Sequence, residues 1–100
     1  MTHDEIIQSI KGFMKNIEGT ADTFYVGISR SPRERLSKGH NVDLSIETWA
    51  IFPASSYQTA RSVEAYFVNE MKTGGGPDGG DETADFVYAF KKNRHTRPSL

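Results

Sequence analysis

The chain contains no cysteine. Disulfides, thiolate metal sites and cysteine nucleophiles are therefore excluded together, any zinc would have to rely on histidine and carboxylates, and a reducing compartment suits the composition. Long apolar runs are also missing: nowhere do about eighteen apolar residues stand in succession, and Met1 to Ile10 has no basic stretch leading into an apolar one. The expectation is a cytoplasmic protein with neither a membrane span nor a cleaved leader. Net charge is nearly absent, at −1 from 12 Lys and Arg against 13 Asp and Glu. The surface as a whole then exerts no pull on a polyanion, and nucleic-acid contact needs a local patch. Apolar content is not short: 36% hydrophobic and 25% charged residues argue against a disordered chain, and 100 residues suit one domain with one core.

The charges that are present are segregated. Arg30, Arg33, Arg35, Lys38 and His40 fall close together, as do Lys91, Lys92, Arg94, His95 and Arg97, while Asp78, Asp81, Glu82 and Asp85 gather the acids. Ile6, Ile7, Ile10, Phe13, Met14 and Ile17 recur at helical spacing behind a Thr2/Glu5 capping box, which predicts an amphipathic helix ending near Gly19. Thr23 to Ile28 alternates as a strand, with Phe24, Val26 and Ile28 on one face and Tyr25 and Gly27 on the other. Ser31, Pro32 and Glu34 read as the start of a short helix that Gly39 closes. Thr48 to Phe52 is a second strand stopped by Pro53; Ser55 and Gln58 then cap a helix to about Lys72 with Ala60, Val63, Phe67 and Met71 inward. Gly74 to Glu82 is too rich in turn residues for helix or strand, Phe86 to Phe90 is a last strand, and Asn93 to Leu100 reads as a basic frayed tail. The expected fold is thus α/β (α+β): a small three-stranded sheet flanked by helices in the order α-β-α-β-α-β.

Glu64 stands out. On a helical wheel of about 100° per residue it lies roughly 40° from Ala60, inside the apolar arc, and a carboxylate there needs a partner, either an arginine or a metal. The segment Phe24 to Leu36 reads F-Y-V-G-I-S-R-S-P-R-E-R-L. Its Tyr25, Val26 and Gly27, with Arg35 ten residues after Tyr25 and Glu64 within Ala60-Arg61-Ser62-Val63-Glu64, resemble the GIY-YIG family of metal-dependent nucleases. The resemblance spans roughly residues 23 to 71.

What the resemblance implies is phosphodiester hydrolysis around one divalent ion, Mg²⁺ or Mn²⁺, held by Glu64. Tyr25 would help deprotonate the attacking water and Arg35 would neutralise the phosphate. Gly27 would allow close approach of backbone, and Arg30, Lys38 and Arg61 are further candidate contacts to the substrate, with DNA favoured over RNA. Gly39 stands where the family has a histidine or tyrosine, so His40, one residue later, is the candidate proton shuttle or phosphate donor, the alternative being a plain surface histidine. The family's first strand is missing before Tyr25, and Phe86, Val87 and Tyr88 resemble it displaced to the C-terminus, which makes Tyr88 the second site tyrosine or else an ordinary core aromatic. A circularly permuted chain would pair Phe86 to Phe90 antiparallel with Thr23 to Ile28. Asp78 or Asp81 as a second metal ligand competes with a surface-loop reading that the turn-rich sequence favours. The alternative function is a degenerate domain that binds nucleic acid or a protein without cutting.

Overall fold

The computed structural model describes residues 1–46, 48–75 and 82–98; Asp78 and Asp81 lie outside the described residues. Helix α1 (His3–Lys15) leads into strand β1 (Phe24–Ser29), then a short helix α2 (Pro32–Glu34) that runs on as a π-helical turn over Arg35–Gly39. Strand β2 (Trp49–Pro53), helix α3 (Tyr57–Ala65, extended by a π-helical turn over Tyr66–Glu70) and strand β3 (Phe86–Lys91) follow. This is the α-β-α-β-α-β order expected from the sequence.

The sheet order is β1-β3-β2, antiparallel throughout, so the last strand is central. Phe86 to Lys91 pairs with β1 in the register Tyr25↔Phe90, Gly27↔Tyr88 and Ser29↔Phe86, the strand pairing expected of a permuted chain. Strand alternation then sorts side chains between two faces. Val26, Ile28, Val87 and Ala89 meet Ile6, Ile10, Ala60, Val63 and Phe67 from α1 and α3 in one aliphatic core. Tyr25, Tyr88, Phe90, Trp49 and Ile51 share the other face with Leu36 and Val42 from α2 and the segment after it. Each fully buried aliphatic or phenyl side chain contributes about 1.5–3 kcal/mol, so the first face carries most of the fold's stability.

Several local expectations shift. The Thr2/Glu5 capping box forms, but α1 ends at Lys15 instead of near Gly19. Strand β1 starts at Phe24, because Ala21–Thr23 forms a single 3₁₀ turn. Pro53 is the last residue of β2 and not the stop beyond it, which an edge strand tolerates. Ser56, not Ser55, caps α3 by accepting from the Thr59 N–H at 3.1 Å. Ser31 precedes α2 but makes no side-chain cap, since its ψ of 67° departs from the extended backbone of a capping residue. Gly39 does not close that helix either. The π turn carries the chain one residue further, His40 N–H reaching the Arg35 carbonyl at 2.9 Å, and Asn41 takes the left-handed conformation (φ 56°).

Two points within the segments expected to be loose, Gly74 and residues 93–97, make specific backbone contacts. Gly74 bridges the outer edge of β1, donating to the Phe24 carbonyl at 2.8 Å and accepting from the Val26 N–H at 3.0 Å. The tail expected to fray from Asn93 is folded back: Asn93 Oδ1 accepts from the His95 and Thr96 amides, and Arg97 N–H donates to the His40 carbonyl at 2.7 Å.

Candidate functional site

The α2-facing side of the sheet is organised around Tyr88. Gly27 stands directly across from it on β1, and a Cβ there would come within 2.5 Å of both Cζ and the hydroxyl of Tyr88. The phenol therefore occupies the space that a side chain at position 27 would need. Gly27, expected to admit a substrate backbone, instead admits Tyr88.

The Tyr88 hydroxyl lies 2.7 Å from His40 Nε2, and His40 Nδ1 lies 2.7 Å from the Arg97 carbonyl oxygen. A carbonyl only accepts, so Nδ1 carries the proton, and the neutral ring accepts at Nε2 from the Tyr88 O–H. Burial holds His40 below its ordinary pKa and the nearby Arg35 charge pushes the same way, against the bond to the Arg97 carbonyl. His40 is fully buried, which rules out the surface-histidine alternative. Burial likewise raises the Tyr88 phenol above its usual range, with Tyr25 adding to the effect and Arg35, hydrogen-bonded to it, opposing. Tyr25 stacks on Phe90 at 5.1 Å and meets the His40 ring at 4.6 Å. Of Tyr25, His40, Tyr88 and Phe90, only Tyr25 is less than fully buried.

Beside this cluster, Ser29, Arg30, Ser31, Arg35, Lys38 and Gly39, with Glu34, line an open cleft of about 470 Å³. The β1–α2 turn supplies Arg30, and the short helix with its π turn supplies Arg35 and Lys38. Three cations against one carboxylate give this cleft a positive balance of charge, and Arg35 links it to the Tyr88 hydroxyl.

Glu64 is buried at 3% exposure, so α3 does aim it inward. Its Oε1 accepts from Arg61 Nη1 at 2.8 Å, while Oε2 is buried with no hydrogen-bond partner among the described residues. Burial raises the carboxyl from 4.5 to about 7, and Arg61 only partly offsets it. The carboxylate is close enough for its charge to act on Tyr88. Arg61, expected as a substrate contact, is instead engaged with Glu64 and with the Tyr57 hydroxyl at 3.2 Å, and it does not line the basic cleft.

The structure thus gathers Tyr25, Arg35 and His40 about Tyr88, buries Glu64 on α3 where its charge is felt at Tyr88, sets Arg30 and Lys38 beside Arg35 along the adjoining cleft, and gives Gly27 and Arg61 supporting parts. Sequence reasoning missed Phe90 and the Arg97 carbonyl. Phe90 was accessible from strand alternation, two residues beyond Tyr88, whereas a backbone carbonyl acting from a tail has no residue-type signal. Among the described residues no three His, Asp or Glu side chains cluster as metal ligands. Glu64 Oε2, the oxygen without a partner among the described residues, is enclosed and lines neither described cleft, so a hard cation that retains most of its waters would reach it only with the side chain turned outward. Comparison with known proteins returns no match to any family model, curated protein or solved structure.

Proposed function

We propose that this chain hydrolyses phosphodiester bonds in nucleic acid, DNA in preference to RNA, in the manner of a GIY-YIG nuclease with a permuted strand order. The observation that carries the reading is the common neighbourhood of Tyr88: a neutral histidine, a second tyrosine, a guanidinium and a half-compensated carboxylate all act on one buried phenol. An aromatic core has no need of that set.

In this reading Glu64 holds one Mg²⁺ or Mn²⁺, which would lower the pKa of bound water and polarise the phosphoryl oxygen. Arg35 binds the scissile phosphate in the basic cleft and spreads its developing charge over a planar fork. Tyr25, the accessible member of the cluster, would take the proton of the attacking water on its oxygen as it passes its own phenolic proton to solvent, so that it relays one proton and ends neutral. Tyr88 keeps its proton on Oη, directed at His40 Nε2, and the Arg97 carbonyl fixes the ring so that this direction cannot reverse.

A non-cleaving binder is the second reading, favoured by the complete burial of both Tyr88 and His40. The two separate on Glu64→Gln, which keeps shape and loses charge. That substitution should abolish Mg²⁺-dependent cleavage of single-stranded, duplex or branched DNA while leaving salt-sensitive binding. Binding by the unsubstituted chain without metal-dependent cleavage of any of these decides for the binder.

A pH series sharpens the test, because rate and stability move oppositely. Metal binding needs the ionised carboxylate, so cleavage should climb as pH rises through about 7. Unfolded Glu64 loses its proton near 4.5 and the folded group near 7, so within that window the folded chain holds a proton that the unfolded chain lacks. Stability contributed by this group therefore falls as pH rises, at about 1.4 kcal/mol per unit and by roughly 3 kcal/mol at most. Glu64→Gln should remove the slope and melt higher than the unsubstituted chain at pH above about 7 in the absence of metal. An equal or lower melting point would mean that the Arg61 pair outweighs the burial.

A further inference from the structure

The basic cleft has a neighbour. Around the start of α2, a second cleft of about 440 Å³ is lined by Arg30, Ser31, Pro32, Arg33, Glu34, Ile51 and Phe86. Arg30, Ser31 and Glu34 line both, so the two clefts adjoin across one short segment of chain. Their chemistry differs. The first is cationic, whereas the floor of the second is the half-buried Phe86 ring and the Ile51 side chain, flanked by guanidinium groups. Arg33 already lies over an aromatic face, its Cζ 5.2 Å from the centre of the Trp49 ring. Neither Arg30 nor Arg33 is in an ion pair among the described residues, and both are exposed.

A cationic cleft sharing a wall with an apolar, aromatic one matches a ligand whose anionic group adjoins a flat apolar one. We propose that the second cleft takes the nucleobase of the nucleotide whose phosphate lies in the first, and hence that the substrate strand is single-stranded or locally unpaired at the reacting position. The proposal rests on the nuclease reading for its phosphate but not for its base pocket. A base inside a duplex presents no free face to Phe86, so entry requires unstacking, which a single strand has already undergone. The cleft volume lies within the roughly 300–1,000 Å³ range of small-molecule sites. Stacking tolerates any base, so preference among bases should be slight.

The test compares binding of a short oligothymidylate, the same strand made wholly abasic, a duplex, and thymidine monophosphate, all to the Glu64→Gln chain, with cleavage by the unsubstituted chain followed in parallel. Expected is a preference for oligothymidylate over the abasic strand of about 5- to 100-fold, the effect of one base–aromatic stack, with the duplex weaker than the single strand. Phe86→Leu, which keeps apolar volume and loses the ring face, should bring that ratio close to unity without changing abasic-strand binding. Arg33→Gln, on an exposed residue whose replacement leaves the core intact, should lower the ratio as well. Equal binding of the base-bearing and abasic strands, no binding of either, or a ratio untouched by both substitutions overturns the proposal. A mononucleotide that binds as tightly as the strand overturns the single-stranded substrate and leaves the base pocket standing. Cleavage without base discrimination would sink the base pocket and leave the nuclease reading standing; discrimination lost in Phe86→Leu without any cleavage would do the reverse.

Discussion

The two faces of the sheet are built on opposite principles. Toward α1 and α3, Val26, Ile28, Val87, Val63 and Phe67 are fully buried and wholly apolar, and none of these side chains needs a specific partner. Toward α2, Tyr88, His40 and Phe90 are just as buried, yet that side conceals a phenol and an imidazole whose polar atoms are matched one by one. The matching depends on a chain tail through Arg97 and on a glycine at position 27, both remote in sequence from His40. Burying polar groups without partners costs a few kcal/mol each, so a merely structural face would have filled this space with leucine and valine. Sequence positions that carry such an avoidable cost are where function is to be sought.

The contrast can be broken most strongly by substitution on each side. Phe67→Ala, in the aliphatic core, should cost about 3–5 kcal/mol of stability by denaturant melting and leave the turnover of the remaining folded protein near normal. Arg35→Ala should do the opposite: cleavage falls by a factor on the order of 10² to 10³, as when one preorganised charge stabiliser is lost, with a smaller change in melting. If Phe67→Ala slowed catalysis as much as Arg35→Ala, the division of labour between the faces would be wrong.

The same contrast explains what the sequence revealed. Apolar periodicity exposed the aliphatic face, because Ile6, Ile10, Val63 and Phe67 report their environment through spacing alone. Glu64 was legible for the converse reason, a charge inside an apolar arc, and the structure places it buried and beside Arg61. His40 was visible as a residue but not as a buried one. Its environment is created by the π turn that carries it past Gly39 and by a tail bond to backbone, and no local pattern encodes either. Gly27 was noticed for the right property, its missing Cβ, with the wrong beneficiary. The cap at Ser56 instead of Ser55 and the left-handed Asn41 in place of Gly39 are register errors of one or two residues, the scale on which neighbouring serines and turn formers compete.

The finest test concerns a single proton. With Nδ1–H fixed on the Arg97 carbonyl, the Tyr88 O–H stabilises neutral His40 by donating to Nε2. Tyr88→Phe removes that donor and leaves a buried lone pair, so the folded protein should lose about 1–3 kcal/mol. The His40 pKa is depressed by burial, and a hydrogen bond donated to Nε2 favours the neutral ring as well. Losing the bond should therefore move the His40 pKa upward, toward the ordinary 6.5. The stability consequence has a definite sign. A histidine whose folded pKa lies below its unfolded value contributes stability above about 6.5 that is lost as pH falls, because the unfolded chain then takes up a proton that the folded chain refuses. Tyr88→Phe should be less stable than the unsubstituted chain at neutral pH, and its stability should decline less steeply on acidification, since its imidazole protonates more readily in place. Histidine resonances followed by NMR across pH 4 to 8 would read both the tautomer and the pKa. A downward pKa shift in Tyr88→Phe, or an unsubstituted His40 bearing its proton on Nε2, would show that Tyr88 accepts from the ring instead of donating to it, and would reverse the proton direction assigned to the site.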